Sequence, residues 1–129
     1  MLTVAICTWN RAALLRQTLE QMTALTIPAD VTWELLVVDN NSNDETAVVI
    51  GEFVNRLPIR ALLESTPGLS NARNTAVAAA RGEYILWTDD DVLVDRTWLS
   101  AYATAVARYH DACVYGDAVK PWFSETTPR

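Results

Sequence analysis

Basic residues are scarce in this chain of 129 residues. Ten lysine and arginine residues, among which Lys120 is the single lysine, stand against sixteen acidic residues and give a formal net charge of -6. A nucleic-acid-binding surface needs clustered lysine and arginine side chains to contact phosphates, and here the arginines are scattered along the chain. We therefore expect no nucleic acid among the partners.

Glycine is missing from the turn where a dinucleotide-binding domain needs it. The four glycines of the chain are Gly51, Gly68, Gly82 and Gly116. A Rossmann domain that binds a nicotinamide dinucleotide carries G-x-G-x-x-G directly after its first strand. Asp39 alone does resemble the ribose-binding acid at the end of a second strand. Without the glycines, the sequence argues against a dinucleotide site.

The chain also lacks a disulfide framework, a cysteine-rich metal site and a long apolar segment. Cys7 and Cys113 both fall in predicted buried strands, where we interpret them as small core side chains in a reducing compartment. The apolar N-terminal stretch is too short to span a membrane and lacks the basic start of a signal peptide. We expect a cytoplasmic domain that would attach to a membrane only through a segment not present in this chain.

Apolar runs alternate with amphipathic stretches along the chain. Buried strands are predicted at residues 2–8, 33–39, 59–64, 83–88 and 112–119. Helices are predicted between them, at residues 10–25, 45–57, 70–81 and 96–110, with Asn10, Ser70 and Asp95 as candidate N-caps. This alternation predicts one α/β domain, a three-layer Rossmann-like arrangement with a mostly parallel sheet and helices on both faces.

Polar side chains collect where the predicted strands end. Thr8, Trp9, Asn10 and Arg11 follow the first strand, Asp39 ends the second, and Asp89, Asp90 and Asp91 follow the fourth. In open α/β sheets, ligands bind beyond the carboxyl ends of the strands. We therefore expect these side chains to share one rim of the sheet and to form a ligand site there.

The three consecutive aspartates need an explanation, because like charges about 4 Å apart repel by roughly 1 kcal/mol in water and about 4 kcal/mol near a protein surface. Carboxylates without a nearby histidine or cysteine suit Mg²⁺ or Mn²⁺, completed by substrate phosphates. The alternative is a solvated acidic loop in which Asp95 caps the next helix. The position of the triplet at a strand end, after Trp87 and Thr88, favours a site.

Two further residues have both an ordinary and a functional interpretation. Trp9 is either a lid on the core or a platform on which a flat base stacks, since base–aromatic stacking contributes about 1–3 kcal/mol. Arg73 lies in the first turn of a predicted helix, where a cation is mildly unfavourable for the helix dipole. It is either a plain surface arginine or a contact to an anionic ligand or its base.

Three segments together resemble a known family. They are VAICTWNRAALLRQTLEQM, LLVVDNNSNDET and PGLSNARNTAVAAARGEYILWTDDDVLVDRTWL. In this order and spacing they resemble the nucleotide-binding half of family 2 glycosyltransferases of the GT-A fold. The resemblance implies an inverting transfer of sugar from a nucleotide-activated donor, usually a UDP-sugar, with Mn²⁺ or Mg²⁺.

The resemblance also implies roles for individual residues. Trp9 matches an aromatic that stacks on the base, with Thr8 beside it, and Asn10 and Arg11 complete that nucleotide-binding segment. Asp39 matches an acid that hydrogen-bonds the base, and Arg73 matches a basic residue near the base or phosphates. In the acidic triplet, Asp89 would touch the ribose. Asp91 or Asp90 would bind the metal, and the D-x-D spacing favours Asp91.

The chain departs from the family pattern after its predicted fifth strand. An inverting transfer needs a general base that deprotonates the acceptor hydroxyl, and in the family that carboxylate lies in a later half that has no counterpart before Arg129. We expect residues 1–129 to be a partial GT-A domain that binds the donor but transfers sugar poorly or not at all by itself. The acceptor stays unknown, and Glu125 has no pattern reason to be the base.

Two other functions are alternatives to the glycosyltransferase interpretation. A phosphatase of the haloacid-dehalogenase type carries D-x-D-x-[TV] near its start, whereas here Leu93 occupies the last position and the triplet follows the fourth strand. A non-catalytic nucleotide-sugar sensor or oligomerisation module remains the runner-up. The edge near residues 112–119 would expose apolar strand surface, so self-association into a homo-oligomer is also expected.

Overall fold

The computed structural model describes residues 1–121, which form four strands and four helices in strict alternation. The strands are β1 (Leu2–Thr8), β2 (Trp33–Asp39), β3 (Ile59–Leu63) and β4 (Tyr84–Trp87). The helices are α1 (Ala12–Met22), α2 (Thr46–Phe53), α3 (Leu69–Ala79) and α4 (Trp98–Arg108). None of the helices in this part of the chain is long and apolar enough to cross a bilayer.

All four strands are parallel, in the order β3-β2-β1-β4. The chain moves outward from β1 through β2 to β3 and then returns, so that β4 joins the opposite side of β1. Thr8 pairs with Asp39 at the carboxyl ends of β1 and β2. The reversal of direction between β1 and β4 is the topological position at which α/β sheets bind ligands.

Helices cover both faces of the sheet, as the sequence predicts. On one face, α1, α2 and α4 bury a core that includes Ile6, Leu19, Phe53 and Leu99. On the other face, α3 is the only helix of residues 1–121 that packs, and it does so through Ala72 and Ala76. Burial on both faces explains why β1 and β2 read as continuous apolar runs instead of alternating ones. The small side chains of α3 let that helix lie close to the sheet.

The predicted fifth strand is wrong within the described residues. Residues 112–119 form neither a strand nor a bridge, and Cys113 is exposed, whereas Cys7 lies half-buried in β1. Val114 and Val119 are also largely exposed. A strand needs a neighbour that takes up its backbone hydrogen bonds, and Gly116 and Asp117 interrupt this apolar run. On its outer side, β4 is therefore an edge strand in the part of the chain that the structure describes.

The predicted N-caps are wrong as well. Arg11, Gly68 and Thr97 occupy the N-cap positions of α1, α3 and α4 in place of Asn10, Ser70 and Asp95, and none makes a side-chain capping bond. The first turn of α1 is instead satisfied from another loop, because the Ala12 N–H donates to Asp44 Oδ2 at 3.0 Å. The Asp95 side chain accepts from the N–H of Thr97 at 2.8 Å, and Thr97 is the residue directly before α4.

A buried carboxylate stabilises the amino ends of the strands, away from the expected ligand rim. Glu34 accepts hydrogen bonds from Thr3 Oγ1 at 2.8 Å, the Arg81 N–H at 2.7 Å and Arg60 Nη1 at 2.5 Å. Burial by itself raises the pKa of the Glu34 carboxyl, but these three donors outweigh burial and hold the pKa below its usual value. Glu34 is therefore a paired structural group.

Candidate functional site

A cavity of about 480 Å³ opens at the carboxyl end of the sheet, where β1 and β4 separate. It is lined by Cys7, Thr8, Trp9, Arg11, Asn40, Pro67, Gly68, Leu69, Ala72, Asp89, Asp90 and Asp91. The cavity thus brings the end of β1 together with the acidic triplet and the start of α3. Its volume lies in the range typical of small-molecule and cofactor sites.

Asp90 is the buried member of the triplet and fixes the acidic loop in place. Its Oδ2 accepts from Thr8 Oγ1 at 2.7 Å, and its backbone oxygen accepts from Thr18 Oγ1 of α1 at 2.9 Å. Both threonines are buried. Because β1 and α1 each contribute a hydroxyl, the position of the acidic loop is determined by the core of the domain.

Arg11 bridges two of the aspartates. Its Nη1 lies 3.2 Å from Asp90 Oδ1 and 3.1 Å from Asp91 Oδ2. The Asp90 carboxylate raises the pKa of the Arg11 guanidinium above its usual value, so this group is a permanent cation. With Thr8 and Arg11 as partners, both carboxylate oxygens of Asp90 are engaged within the protein.

Asp89 and Asp91 present carboxylates that are more accessible to a ligand. Both are exposed and line the cavity. Within residues 1–121, Asp89 receives no side-chain hydrogen bond, and Asp91 is contacted through Oδ2 alone. The described residues contain no cluster of three or more acidic, histidine or cysteine side chains arranged to hold a metal ion. A cation here would need oxygen ligands from its substrate, which is the usual situation for Mg²⁺.

Trp9 and Asn10 follow Thr8 at the mouth of the cavity. Trp9 is 63% exposed, which rules out a role as a lid on the core and leaves its ring available for stacking. Asn10 has a positive φ of 52°, and its Oδ1 accepts from the Asn43 N–H at 2.8 Å. Its own N–H donates to Ser42 Oγ at 2.9 Å. Asn10 therefore ties the loops after β1 and β2 together.

Three predicted nucleotide-binding residues do not line this cavity: Asn10, Asp39 and Arg73. Asp39 ends β2 beside Thr8, and its Oδ1 accepts from the Ser42 N–H at 2.9 Å, which closes a local turn. Arg73 is exposed on α3, and its guanidinium carbon lies 5.8 Å from the centre of the Trp87 ring. Thr8, Trp9, Arg11 and Asp89 do line the cavity, together with Asp90 and Asp91.

Asn40 lines the cavity, although it is not among the site residues predicted from the sequence. It is buried and donates through Nδ2 to the backbone oxygens of Glu64 at 3.0 Å and Thr66 at 2.8 Å. Its Oδ1 accepts from the Gly68 N–H at 2.8 Å. Asn40 therefore holds the loop before α3 against the cavity. The available signal was its place directly after β2 on the ligand rim.

Cys7 lines the cavity but is not a reactive thiolate. Burial raises its pKa to about 11, with nearby Arg73 opposing and Asp89 and Asp90 reinforcing the shift. The thiol is therefore neutral at pH 7, and a neutral thiol is neither a strong nucleophile nor a metal ligand.

Comparison with known proteins gives a consistent family. The sequence model of Glycosyl transferase family 2 matches residues 3–124. The succinoglycan biosynthesis protein ExoM of Rhizobium meliloti is 25% identical over 128 residues, which cover 98% of this chain and 41% of ExoM. The chain therefore spans less than half of the length of this relative.

Solved structures agree with this result. TarS 1-349 of Staphylococcus aureus, in complex with UDP-GlcNAc, is 26% identical with a TM-score of 0.76, covering 84% of this chain and 32% of the TarS chain. The mannosyltransferase PcManGT of Pyrobaculum calidifontis, in complex with GDP-Man and Mn²⁺, is 30% identical with a TM-score of 0.74. That match covers 82% of this chain and 32% of PcManGT. The four-stranded sheet and its helices correspond to a portion of these larger GT-A enzymes.

Proposed function

The chain belongs to glycosyl transferase family 2, and on that premise we propose that its cavity binds the nucleoside diphosphate of a nucleotide-sugar donor. We further propose that this domain is the donor-binding part of an inverting glycosyltransferase. The observation that carries this proposal is the cavity itself. It joins an exposed tryptophan, Trp9, to the acidic residues 89–91 at the reversal of strand order.

The donor would lie across the rim with its base on the side of Trp9. The exposed Trp9 ring supports stacking on a base, and Thr8 and Arg11 line that end of the cavity. Asn10 would support the nucleotide-binding loop from outside the cavity, through its bonds to Ser42 and Asn43. Asp39, beside Thr8 in the sheet, would accept a hydrogen bond from the base through its second oxygen. Arg73 would reach the base or the phosphates from α3, and Asp89 would accept from the ribose hydroxyls.

The carboxylate oxygens of this site also suit a divalent cation, Mn²⁺ or Mg²⁺. The accessible carboxylates of Asp91 and Asp89 provide hard oxygen ligands, and a diphosphate would complete the coordination. We assign Asp91 to the metal, because both oxygens of Asp90 already bind protein donors. When bound, such a cation would act as a Lewis acid that stabilises the charge on the leaving diphosphate. Thr8, Thr18 and Arg11 hold the acidic loop in the required place.

Uridine is the base that we propose for the donor. TarS has been solved with UDP-GlcNAc, whereas PcManGT has been solved with GDP-Man, so relatives of similar identity bind different nucleotides. The resemblance in the motif around Trp9 and Asp39 favours UDP, with GDP as the competitor in the binding test. The sugar and the acceptor are not assigned.

We assign no general base among residues 1–121. The chain spans about a third of each solved relative described above, so the isolated chain is proposed to bind the donor but to transfer sugar poorly or not at all. The same partial coverage favours one alternative, a non-catalytic module that senses nucleotide sugar or mediates oligomerisation. Steady sugar transfer by the purified 129-residue chain would contradict both the proposed lack of efficient transfer and the alternative of a non-catalytic module.

A calorimetric titration tests donor binding. The chain should bind UDP in the presence of Mn²⁺ more tightly than in its absence, and Asp91→Asn should abolish the metal-dependent gain. Asp30→Asn is the matched control, because Asp30 is exposed and lies outside the cavity. A folded chain that binds neither UDP nor GDP with Mn²⁺ would contradict the proposed function.

A further inference from the structure

The Arg11 guanidinium lies beside the acidic triplet and contacts two of its members. Its Nη1 contacts both Asp90 and Asp91, at 3.2 Å and 3.1 Å. Within residues 1–121, no other basic side chain forms an ion pair with the acidic triplet. The protein therefore supplies its own cation to the carboxylates of residues 90 and 91.

We infer that Arg11 makes the binding of a divalent cation depend on the binding of a diphosphate. This inference rests on the proposed donor site and names the residue that couples the two ligands. Arg11 is a positioning residue in this scheme, because it acts on the metal through Asp91 and through the charge of the cavity.

Without a diphosphate, Arg11 opposes the metal. A cation that binds Asp91 shares that carboxylate with the guanidinium, and the two positive charges repel each other. The side chains of Arg11 and Asp91 are 51% and 47% exposed, so the guanidinium is not locked in place and can exchange partners. Asp90 is only 6% exposed and keeps its second contact to Thr8, so the loop stays anchored when Arg11 moves.

With a diphosphate present, Arg11 no longer opposes the binding of the metal. The negative charge of the phosphates reduces the repulsion between the cation and the guanidinium. The planar guanidinium is also well suited to a two-point hydrogen bond with phosphate oxygens. Each ligand therefore favours the binding of the other, and the coupling is equal in both directions.

Arg16 provides a matched control, since it lies in α1, five positions after the N-cap residue Arg11. It pairs with Glu52 and lies on the outer side of α1, away from this cavity, with a side chain 45% exposed. Arg11→Gln and Arg16→Gln each remove one positive charge by the same substitution, at the N-cap and in the second turn of α1. Neither arginine makes a capping bond for α1, so both variants should keep the fold, which circular dichroism and thermal unfolding verify.

The test measures Mn²⁺ affinity by electron paramagnetic resonance of free Mn²⁺, with and without saturating UDP, for both variants and the wild-type chain. In Arg11→Gln, Mn²⁺ affinity without UDP should rise by about 1.4- to fivefold, the range for a partly exposed ion pair. The enhancement of Mn²⁺ affinity by UDP should fall by a similar factor. Arg16→Gln should match the wild type in both quantities.

The outcomes separate the two proposals. If Arg11 merely holds Asp91 in place, Arg11→Gln will weaken Mn²⁺ binding both with and without UDP, and the inference is wrong. It is equally wrong if the enhancement by UDP in Arg11→Gln equals that of Arg16→Gln. If the wild-type chain binds no UDP at all, the proposed donor site is wrong and the inference is lost with it.

Discussion

At the scale of single residues, three identical aspartates occupy different environments. Asp90 is buried and engages Thr8 and Arg11, whereas Asp89 and Asp91 face the cavity mouth. A buried carboxylate whose oxygens are already paired stabilises a loop, and an exposed one is available to a ligand. The triplet therefore combines one anchor with two groups that can serve binding.

This division of roles predicts that one alanine variant loses stability and that the other loses metal-dependent UDP binding. Asp90→Ala leaves the buried Thr8 hydroxyl without its acceptor, and it should lower the free energy of unfolding by about 1–3 kcal/mol. Asp91→Ala removes an exposed contact and should leave unfolding nearly unchanged while abolishing metal-dependent UDP binding. Urea unfolding of both variants measures the difference. Equal stability of the two variants would contradict the anchoring role.

The sequence predicted the acidic triplet as a site, with Asp89 at the ribose and Asp91 or Asp90 at the metal, but it did not predict that Asp90 is a buried anchor of the loop. The strand-end position and the charge of the triplet are local properties, so they are visible in the sequence. The burial of Asp90 depends on Thr8, which is 82 residues away, and on Thr18, which is 72 residues away. Such distant partners leave no local pattern, and the same holds for Asp44, which bonds the first turn of α1.

At the scale of elements, the turn into β4 requires glycine. A Cβ atom on Gly82 would lie 2.5 Å from the Thr3 nitrogen and 2.7 Å from the Leu2 carbonyl carbon, both backbone atoms of β1. The Gly82 N–H also donates to Thr3 Oγ1 at 2.9 Å. This close approach brings the chain from α3 into position to pair β4 with β1.

Two glycine-to-alanine variants should therefore change stability in opposite directions. Gly82→Ala forces backbone atoms apart and should destabilise the fold by about 1–3 kcal/mol or more, as overpacking does. Gly51 lies in α2 with open space around its Cβ position, so Gly51→Ala should stabilise by about 0.5–1 kcal/mol. Thermal unfolding compares them. A Gly82→Ala variant as stable as the wild type would show that the turn can move.

The order and type of the first eight elements were predictable, because apolar strand-like runs alternate with segments whose apolar residues recur at helical spacing. The ends were less predictable: α1 was predicted over residues 10–25 and spans Ala12–Met22, and α2 was predicted over 45–57 and spans Thr46–Phe53. Helix ends depend on partners from other loops, as Ala12 and Asp44 show. The prediction of a fifth strand at residues 112–119 was wrong, because an apolar run without a paired neighbour forms no sheet hydrogen bonds.

At the scale of the whole molecule, acidic groups in hydrogen-bonded pairs set the dependence of stability on pH. The pKa of Glu34 lies below its usual value in the folded chain, because the three donors outweigh burial. A carboxyl with a lowered folded pKa stabilises the fold above its unfolded pKa, about 4.3 for glutamate. That contribution is lost as the pH falls from about 5 through the folded pKa.

Replacing Glu34 should therefore reduce the free energy of unfolding most at neutral pH. Glu34→Gln weakens the bond to Arg60 and should lower the free energy of unfolding at pH 7 by about 1–3 kcal/mol. The gap between variant and wild type should narrow as the pH is lowered from 5 to about 3. Urea unfolding at several pH values measures this gap in unfolding free energy, with Glu83→Gln as the control, because Glu83 is exposed and forms no ion pair within residues 1–121. A gap that is constant with pH would contradict a charged Glu34.

The hydrogen bond between Thr8 and Asp90 joins residues 82 positions apart, and this separation has a consequence for biosynthesis. β1, β2 and β3 leave the ribosome before β4 exists, so the sheet can begin to assemble while the cavity is still open on one side. Pairing of distant segments is the slow part of folding. The cavity is therefore completed only when β4 and the acidic loop join β1, and a nucleotide bound there as proposed would stabilise the finished sheet and not its precursors.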